Sequence, residues 1–328
     1  MRILYKPDGL GDVQSDLSVD DLASLLAQKQ GLLWVDFNSD AINTAEPVLT
    51  HVFQFHPLAV DDAINEVHLP KVDDWGDYLY LVVRGLVYEE DSDRPNLPEL
   101  DIFVGRNYLV TFHHDALDAV DRVWESFSRD DRLQTGNIAY LLYRLLDELV
   151  DHYLKTTEAL EDRLEHVEDE ILLRPSAAAQ ERLLALKHVV LRLRRVTSLQ
   201  REVLNKLARD PYAVLDAADR VYFRDVYDHM IRLYELIDGL RDLVMGALDL
   251  YLSALNNRMN EIMKTLTIIT TLFMPLTFVT GFFGMNFFQP VYVGLMSWTA
   301  QFAFTLTLLG MIAVPVVMFF WMRRRAWM

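Results

Sequence analysis

Hydrophobic and polar positions change their pattern twice along this chain. Residues 1–134 alternate short apolar, β-rich runs with amphipathic helical segments, a pattern typical of a mixed α/β domain. Residues 135–264 contain only two prolines, Pro175 and Pro211, and show helical periodicity between them. Residues 265–328 are almost entirely apolar. The pattern predicts an N-terminal α/β domain (1–134), a long helical stalk (135–264) and a transmembrane domain (265–328).

The first part combines strands with helices. Its strand-like runs are rich in Val, Tyr and Phe and occupy 32–38, 78–90 and 99–114. Two segments with helical periodicity occupy 18–30 and 56–65. The polar residues of 89–100 predict a hairpin connection between two strands. The predicted fold class is therefore α+β, a mixed sheet flanked by helices, followed by a very long stalk helix that leads into two transmembrane helices.

The prolines divide the middle part into helices near 136–173, 176–209 and 212–284. The first of these helices is acidic and the second is basic, which predicts an antiparallel hairpin with opposite charges facing each other. The third continues without a break signal into the apolar region. The length of this third helix and its continuation into the apolar region predict a stalk that joins the α/β domain to a membrane.

Two membrane spans account for the uncharged region. Residues 265–322 include no Asp, Glu, Lys, Arg or His, and one span needs about 20 apolar residues. We place the first span at about 265–284, an outer loop at about 285–297, the second span at about 298–321 and a basic tail at 322–328. Lys264 and Arg323–Arg325 flank the pair, so both termini are expected in the cytoplasm. A buried hairpin in a soluble protein is the alternative.

Ten apolar residues of the third helix recur at steps of four and three, and we call them the apolar seam. Such a seam usually packs against other helices, in the same chain or in copies of it. Its members are Leu233, Ile237, Leu240, Val244, Leu248, Tyr251, Leu255, Met259, Ile262 and Leu266.

A second face of the same helix carries small, hydroxyl, amide and thioether side chains, and we call it the polar stripe. In a membrane span such a face either packs closely against another helix or lines a wet pore made by several copies. Two spans cannot enclose a pore alone, so the second interpretation requires an oligomer. The stripe consists of Asn256, Asn260, Met263, Thr267, Thr270, Met274, Thr277, Gly281 and Gly284.

Charge narrows the classes of partner. The formal net charge is −17, and residues 1–263 alone carry 27 basic against 48 acidic side chains. An acidic body repels nucleic acid and raises the local concentration of cations, so nucleic acid is not expected as a partner. The chain has no cysteine, so any bound metal must use oxygen or imidazole ligands.

Several acidic side chains could serve as those ligands. Asp61 and Asp62 are adjacent in a short helical segment, and Asp225 and Asp228 lie on one face of the long helix. They are either solvated side chains or carboxylates that meet at a subunit boundary, where a hard divalent cation would bind them. The histidines at 113 and 114 are expected at the surface. No nucleophile elbow, phosphate-binding glycine loop or HExxH motif is present, so an enzyme is the weakest interpretation.

Five segments together resemble the CorA-type family of divalent cation channels, over essentially the whole chain. They are MKTLTIITTLFMPLTFVTGFFGMNF (263–287), HPLAVDDAIN (56–65), LPKVDDWGDYLYLVV (69–83), YFRDVYDH (222–229) and WMRRRAWM (321–328). The tripeptide GMN at the outer end of the first of two C-terminal spans is the most specific of these signals. The resemblance implies a fold with a cytosolic domain and a multi-pass location in the plasma or inner membrane.

The resemblance also implies a homopentamer in lipid whose first span lines the pore. Gly284, Met285 and Asn286 would form the selectivity filter at the outer mouth, where five neutral amides accept hydrogen bonds from a hydrated cation. The pore-lining positions would be Asn260, Met263, Thr270, Met274, Thr277 and Gly281.

Regulation is a further implication of the resemblance. Mg²⁺ held between adjacent subunits would close the channel, and the matching positions are Asp61, Asp62, Asp147 and Asp225. In this picture the bridging ion offsets the mutual repulsion of the acidic bodies, and its loss opens the channel.

Two departures from the family pattern leave the choice of ion open. Phe283 stands where tyrosine commonly precedes GMN, and the outer loop has no carboxylate to concentrate cations. Mg²⁺ is therefore the first expectation, with Co²⁺, Ni²⁺ or Zn²⁺ as alternatives, the last through the zinc-transporting branch of the same superfamily. A sensor that two spans merely tether to the membrane is the alternative from a different class.

Overall fold

A computed structural model describes residues 1–8, 12–15, 17–28, 30–38, 41–65, 68–88, 95–127, 129–130, 132–133, 137–285 and 297–324. The chain divides into two compact units, Met1–Leu248 and Asp249–Met328.

The first unit is built on a six-stranded mixed sheet in the order β1-β2-β6-β5-β4-β3. Every neighbouring pair is antiparallel except β2 and β6, which run parallel. The central strands are buried almost throughout, because helices cover the sheet and leave little alternation between polar and apolar positions. The strands are β1 (Arg2–Lys6), β2 (Leu32–Asn38), β3 (Lys71–Asp74), β4 (Leu79–Arg84), β5 (Glu99–Val104) and β6 (Tyr108–His113).

Eight α-helices complete the described chain. A π-helical turn (Val48–Val52) follows the second, and a short 3₁₀ turn (Ala217–Asp219) precedes the seventh. The helices are α1 (Val19–Gln28), α2 (Ile42–Pro47), α3 (Pro57–Asn65), α4 (Asp118–Phe127), α5 (Ile138–Leu173), α6 (Ala177–Arg209), α7 (Arg220–Gly284) and α8 (Ser297–Arg324).

The long helices begin and end where the sequence provides capping groups. The side chain of Asn137 accepts a hydrogen bond from the Tyr140 backbone N–H at 3.1 Å, which caps α5. Ser176 caps α6 in the same way through the Ala179 backbone N–H, also at 3.1 Å. Pro175 lies between the two helices and ends the first, because its ring excludes the helical conformation of the preceding residue.

The mixed sheet, flanking helices, long stalk helix and apolar C-terminal helix confirm the predicted fold class. Details differ. The predicted strand 99–114 is two strands, β5 and β6, joined by a tight turn at 105–107. The third stalk helix begins at Arg220 and not at 212, because residues 211–216 form an irregular link before the 3₁₀ turn.

The α5–α6 hairpin has fewer cross-hairpin charge pairs than its sequence indicated. Arg182 pairs with Glu170 near the turn, but Arg194 reaches away to Asp238 on α7 at 2.7 Å. Buried apolar side chains line the inner faces of both helices instead. Hydrophobic burial, with capping at the turn, therefore holds this hairpin together.

His113 is a correction to the expectation from sequence. Its side chain is buried, and its Nε2 lies 3.3 Å from Asp36 Oδ1 on the parallel neighbour strand. Asp36 also accepts hydrogen bonds from Arg2 at 2.8 Å and Thr111 at 2.5 Å. Burial alone would raise the pKa of Asp36, but His113, Thr111 and Arg2 outweigh it and lower that pKa. A polar network thus links β1, β2 and β6, while His114 is exposed as expected.

Candidate functional site

Two helices are long and apolar enough to cross a membrane, within Ala217–Phe282 and Thr305–Arg324. None of the most apolar window of the first is buried within this chain, and almost none of the second. A core helix of a soluble protein would bury these side chains. Their exposure favours the membrane interpretation over a buried soluble hairpin.

One face of α7 turns toward α8. Pro275, Leu276 and Val279 line an apolar groove of about 260 Å³ together with residues of the second span. The groove has almost no polar lining, since its walls are aliphatic apart from one hydroxyl. The residues that α8 contributes are Leu306, Thr307, Gly310, Met311 and Val314.

The polar stripe lies on the other side of α7. At 3.6 residues per turn, its centre is about 150° around the helix from the residues that line the groove. Every described member of the stripe is exposed, including Met263 at 57% and Met274 at 72%. The described residues of α8 therefore leave the stripe uncovered.

Threonine hydroxyls on the stripe point their hydrogens at their own helix. Thr270 Oγ1 donates to the Leu266 carbonyl at 2.8 Å, and Thr277 Oγ1 donates to the Phe273 carbonyl at 3.0 Å. Each hydroxyl oxygen keeps an accepting lone pair. The threonine and asparagine oxygens of the stripe can therefore accept hydrogen bonds from water.

The predicted filter lies at the end of α7. Gly284 is its last residue, and Met285 follows it with 55% exposure. Asn286 and the rest of the predicted outer loop up to residue 296 lie outside the described residues, as does the tail from residue 325. The structure describes Gly281, Asn260 and the other pore-lining candidates on α7, all of them exposed.

The apolar seam changes its surroundings along α7. Its members from Leu233 to Val244 are buried in the first unit, and Tyr251 is also buried. From Leu255 to Leu266 the seam is exposed, with Met259 at 55% and Ile262 at 61%. The prediction of core packing therefore holds within one chain for the first part of the seam.

Two of the predicted regulatory carboxylates, Asp147 on α5 and Asp225 on α7, each contact a side chain of the other helix. Asp147 lies 3.1 Å from His229 Nδ1, and Asp225 accepts a hydrogen bond from the Tyr143 hydroxyl at 3.1 Å. Burial, with the nearby charge of Asp147 and the bond to Asp225, raises the pKa of Tyr143 to about 12. The tyrosine therefore stays protonated and donates to Asp225.

The other two predicted carboxylates lie on α3 and have partners in the same chain. Asp62 is 2.6 Å from Lys71 Nζ and 3.6 Å from His68 Nε2. Asp61 is exposed and accepts a hydrogen bond from Asn65 at 2.8 Å. Asp61 and Asp62 thus lie on α3, whereas Asp147 and Asp225 lie where α5 contacts α7.

Within the described residues of one chain, no group of three or more His, Asp or Glu side chains could hold a metal ion. Mg²⁺ usually keeps several of its waters and binds proteins through only one or two carboxylates. The carboxylate oxygens of Asp61, Asp62, Asp147 and Asp225 have the donor chemistry that such a cation prefers.

Sequence reasoning missed a buried acidic group behind α3. Glu99 accepts a hydrogen bond from Arg84 at 2.7 Å, and Asp101 accepts one from Tyr80 at 2.6 Å. Burial raises the pKa of Asp101 well above its usual value. The only sequence signal was an acidic residue at two inward positions of an otherwise apolar strand, ELDIFV.

Comparison with known proteins gives a family match over most of the chain. Residues 29–324 match the model of the CorA-like Mg²⁺ transporter protein family. The cobalt/magnesium transport protein CorA of Thermotoga maritima is 35% identical over 278 residues, which cover 84% of this chain and 78% of that protein. The zinc transport protein ZntB of Yersinia pseudotuberculosis is 24% identical over 331 residues, or 99% of this chain and 95% of that protein.

A solved structure supports the same match. The complete structure of the CorA magnesium transporter from Methanocaldococcus jannaschii aligns with a TM-score of 0.81 and 25% identity. The alignment covers 100% of this chain and 99% of that chain.

The geometry of α7 predicts different solvent contacts for its two faces. The native chain has no cysteine, so a single introduced thiol reports on one position. Thr277→Cys should react with a charged, membrane-impermeant thiol reagent in the assembled protein. Val279→Cys, the matched control in the groove beside α8, should not react, since a charged reagent cannot enter an apolar environment.

Mass spectrometry of each variant in liposomes, after timed exposure to the reagent, measures the labelling. Equal protection of both thiols would contradict a water-accessible stripe.

Proposed function

This chain belongs to the CorA-like Mg²⁺ transporter family, and from that premise we propose that it is a homopentameric channel for divalent cations, with Mg²⁺ as its principal ion. Its family is one of divalent cation transporters with membrane-spanning C-terminal helices. The main support for a pore is the exposed polar stripe on α7, which faces away from α8.

Polar groups that are left in lipid lower the stability of a membrane protein, and this favours an assembly of several copies. Amide and hydroxyl side chains in the hydrocarbon region are destabilising unless a polar partner or water meets them. Thr270 and Thr277 donate to carbonyls of their own helix but can still accept, and no hydrogen bond joins Asn260 to the described residues of α8. Water around an axis shared with other copies of α7 would meet these groups. The exposed length of the apolar seam would then pack between neighbouring copies.

The proposed pore would select cations that enter it with their water shell. Asn286, with Gly284 and Met285, would form a ring of neutral acceptors at the outer mouth. Mg²⁺ loses its water reluctantly, and amide oxygens can accept hydrogen bonds from that water without displacing it. Farther along the helix, Met263 and Met274 would form hydrophobic constrictions where dewetting stops ion flow.

Closure would depend on cytosolic Mg²⁺ held between subunits. Asp61 and Asp62 of one subunit and Asp225 of the next would share the ion, with Asp147 beside Asp225. The support is the family match and the position of Asp147 and Asp225, which both lie where α5 contacts α7. Because the ion binds the assembled arrangement better, it shifts the population toward the closed state.

Topology follows from charge. Arg323 and Arg324 end α8, so the positive-inside rule supports cytoplasmic termini and an outer loop that contains Asn286. The proposed domains are an α/β domain (1–134), a stalk (135–264) and a membrane domain (265–328). The expected location is the plasma or inner membrane.

The runner-up is a zinc transporter of the same superfamily. The relative from Y. pseudotuberculosis is named a zinc transport protein and aligns over nearly the whole chain. The outer loop sequence has no carboxylate, which leaves the choice between Mg²⁺ and the other divalent cations open. Flux of Mg²⁺, Co²⁺, Ni²⁺ and Zn²⁺ into liposomes, with and without a proton gradient, would rank the ions. A tethered sensor without a pore would carry none of them.

The amide of Asn286 is expected to be necessary for transport. Asn286→Ala removes the proposed ring of acceptors at the mouth and should abolish Mg²⁺ uptake into liposomes while leaving assembly intact. Asn43→Ala, the same change on the exposed surface of α2, is the control and should transport normally. A fluorescent Mg²⁺ indicator inside the liposomes measures uptake. Normal flux through Asn286→Ala would favour the sensor instead.

Asp225 is expected to be necessary for closure. Asp225→Ala should raise the internal Mg²⁺ concentration needed for half-closure by about tenfold, the effect of losing roughly 1.4 kcal/mol of binding free energy. Asp249→Ala, at an exposed carboxylate farther along α7, should leave closure unchanged. Uptake at set internal Mg²⁺ measures both. Closure at the wild-type concentration in the Asp225 variant would refute the assignment.

A further inference from the structure

Asp62 forms an ion pair with the side chain of Lys71. The Lys71 ammonium lies 2.6 Å from Asp62 Oδ2, and both side chains are partly buried, with 29% and 27% exposure. A divalent cation that binds this carboxylate must therefore compete with an ammonium fixed to the same chain. Two positive groups cannot share one carboxylate oxygen without strong repulsion.

The Lys71 ammonium also contacts a second carboxylate. Lys71 Nζ is 3.1 Å from Asp73 Oδ2, and Asp73 lies two residues farther along β3. Side chains two apart on a strand share one face, so Lys71 can contact Asp73 without any change in the backbone. The Tyr80 ring lies under the ammonium at 5.1 Å and restricts where it can go.

We propose that Lys71 is a tethered competitor that sets the Mg²⁺ sensitivity of the regulatory site by occupying Asp62 and moving to Asp73 when the ion binds. This inference rests on the proposed regulatory role of Asp62. Lys71 contacts no transported ion. It is a positioning residue, and it acts through the carboxylate that it holds.

The arrangement makes two variants shift in opposite directions. Lys71→Met keeps much of the aliphatic stem and removes the competitor, so less Mg²⁺ should be needed to bind. Asp73→Asn removes the second carboxylate, so the ammonium stays on Asp62 and more Mg²⁺ should be needed. A purely structural role for Lys71 would weaken Mg²⁺ binding in both variants, since both remove a contact.

The experiment measures the unfolding temperature of the full-length protein in detergent as Mg²⁺ is added at constant ionic strength. An ion that binds the folded state raises this temperature by an amount set by ln(1 + [Mg²⁺]/Kd), and a fit of that curve gives Kd, the Mg²⁺ concentration that half-fills the site, which we call the midpoint. Lys71→Met should lower the midpoint about fivefold, as expected for one partly exposed charge next to the ion. Asp73→Asn should raise it about threefold.

Matched controls separate this competition from general charge effects. Lys155→Met removes the same charge from an exposed position on α5, where Lys155 pairs with Asp151, and should leave the midpoint unchanged. Asp74→Asn makes the same change as Asp73→Asn on the opposite face of β3, and it also should leave the midpoint unchanged. Lys71→Arg keeps the charge and should restore the midpoint to within about twofold of wild type.

Asp62→Asn distinguishes failure of this inference from failure of the proposed function. If Asp62→Asn abolishes the response and Lys71→Met does not move the midpoint, the competitor role is wrong and the regulatory site stands. If Asp62→Asn responds to Mg²⁺ as wild type does, the regulatory site itself is wrong. A midpoint that rises in Lys71→Met would also overturn the inference.

Discussion

The polar face of α7 is the constraint from which the proposed assembly follows, because the described residues of α8 do not cover it. Pro275, Leu276 and Val279 turn toward α8, while Thr270 and Thr277 lie on the far side with their oxygens free to accept hydrogen bonds. In lipid such a face is destabilising by itself. Because the chain has no third described span to cover it, we propose that copies of α7 gather around water.

In the first unit, acidic side chains are the feature that a neighbouring copy would meet. Asp147 and Asp225 each contact a side chain of the other helix where α5 meets α7, and Asp62 on α3 pairs with Lys71. These carboxylates belong to a strongly acidic chain. We propose that a neighbouring copy completes both the pore and the regulatory site, so that assembly would connect ion binding to ion flow.

The sequence was sufficient for features with a long, regular signal. The uncharged stretch indicated two spans, and Pro175 marked the turn between α5 and α6. Short or locally set features were missed. Strands β1 and β3 have five and four residues, too few to show a period, and the turn at 105–107 was hidden within an apolar run. His113 is polar in sequence, and only the pairing of β2 with β6 brings Asp36 to it.

The subunit number of the purified protein tests the central claim most directly. Light scattering coupled to size exclusion, in a mild detergent and corrected for bound detergent, gives the protein mass of the particle. The account predicts a particle of five copies of the 38.1 kDa chain. A protein that is monomeric under these conditions, and stays so in lipid nanodiscs, would contradict it, because no shared axis would then exist for the polar face of α7.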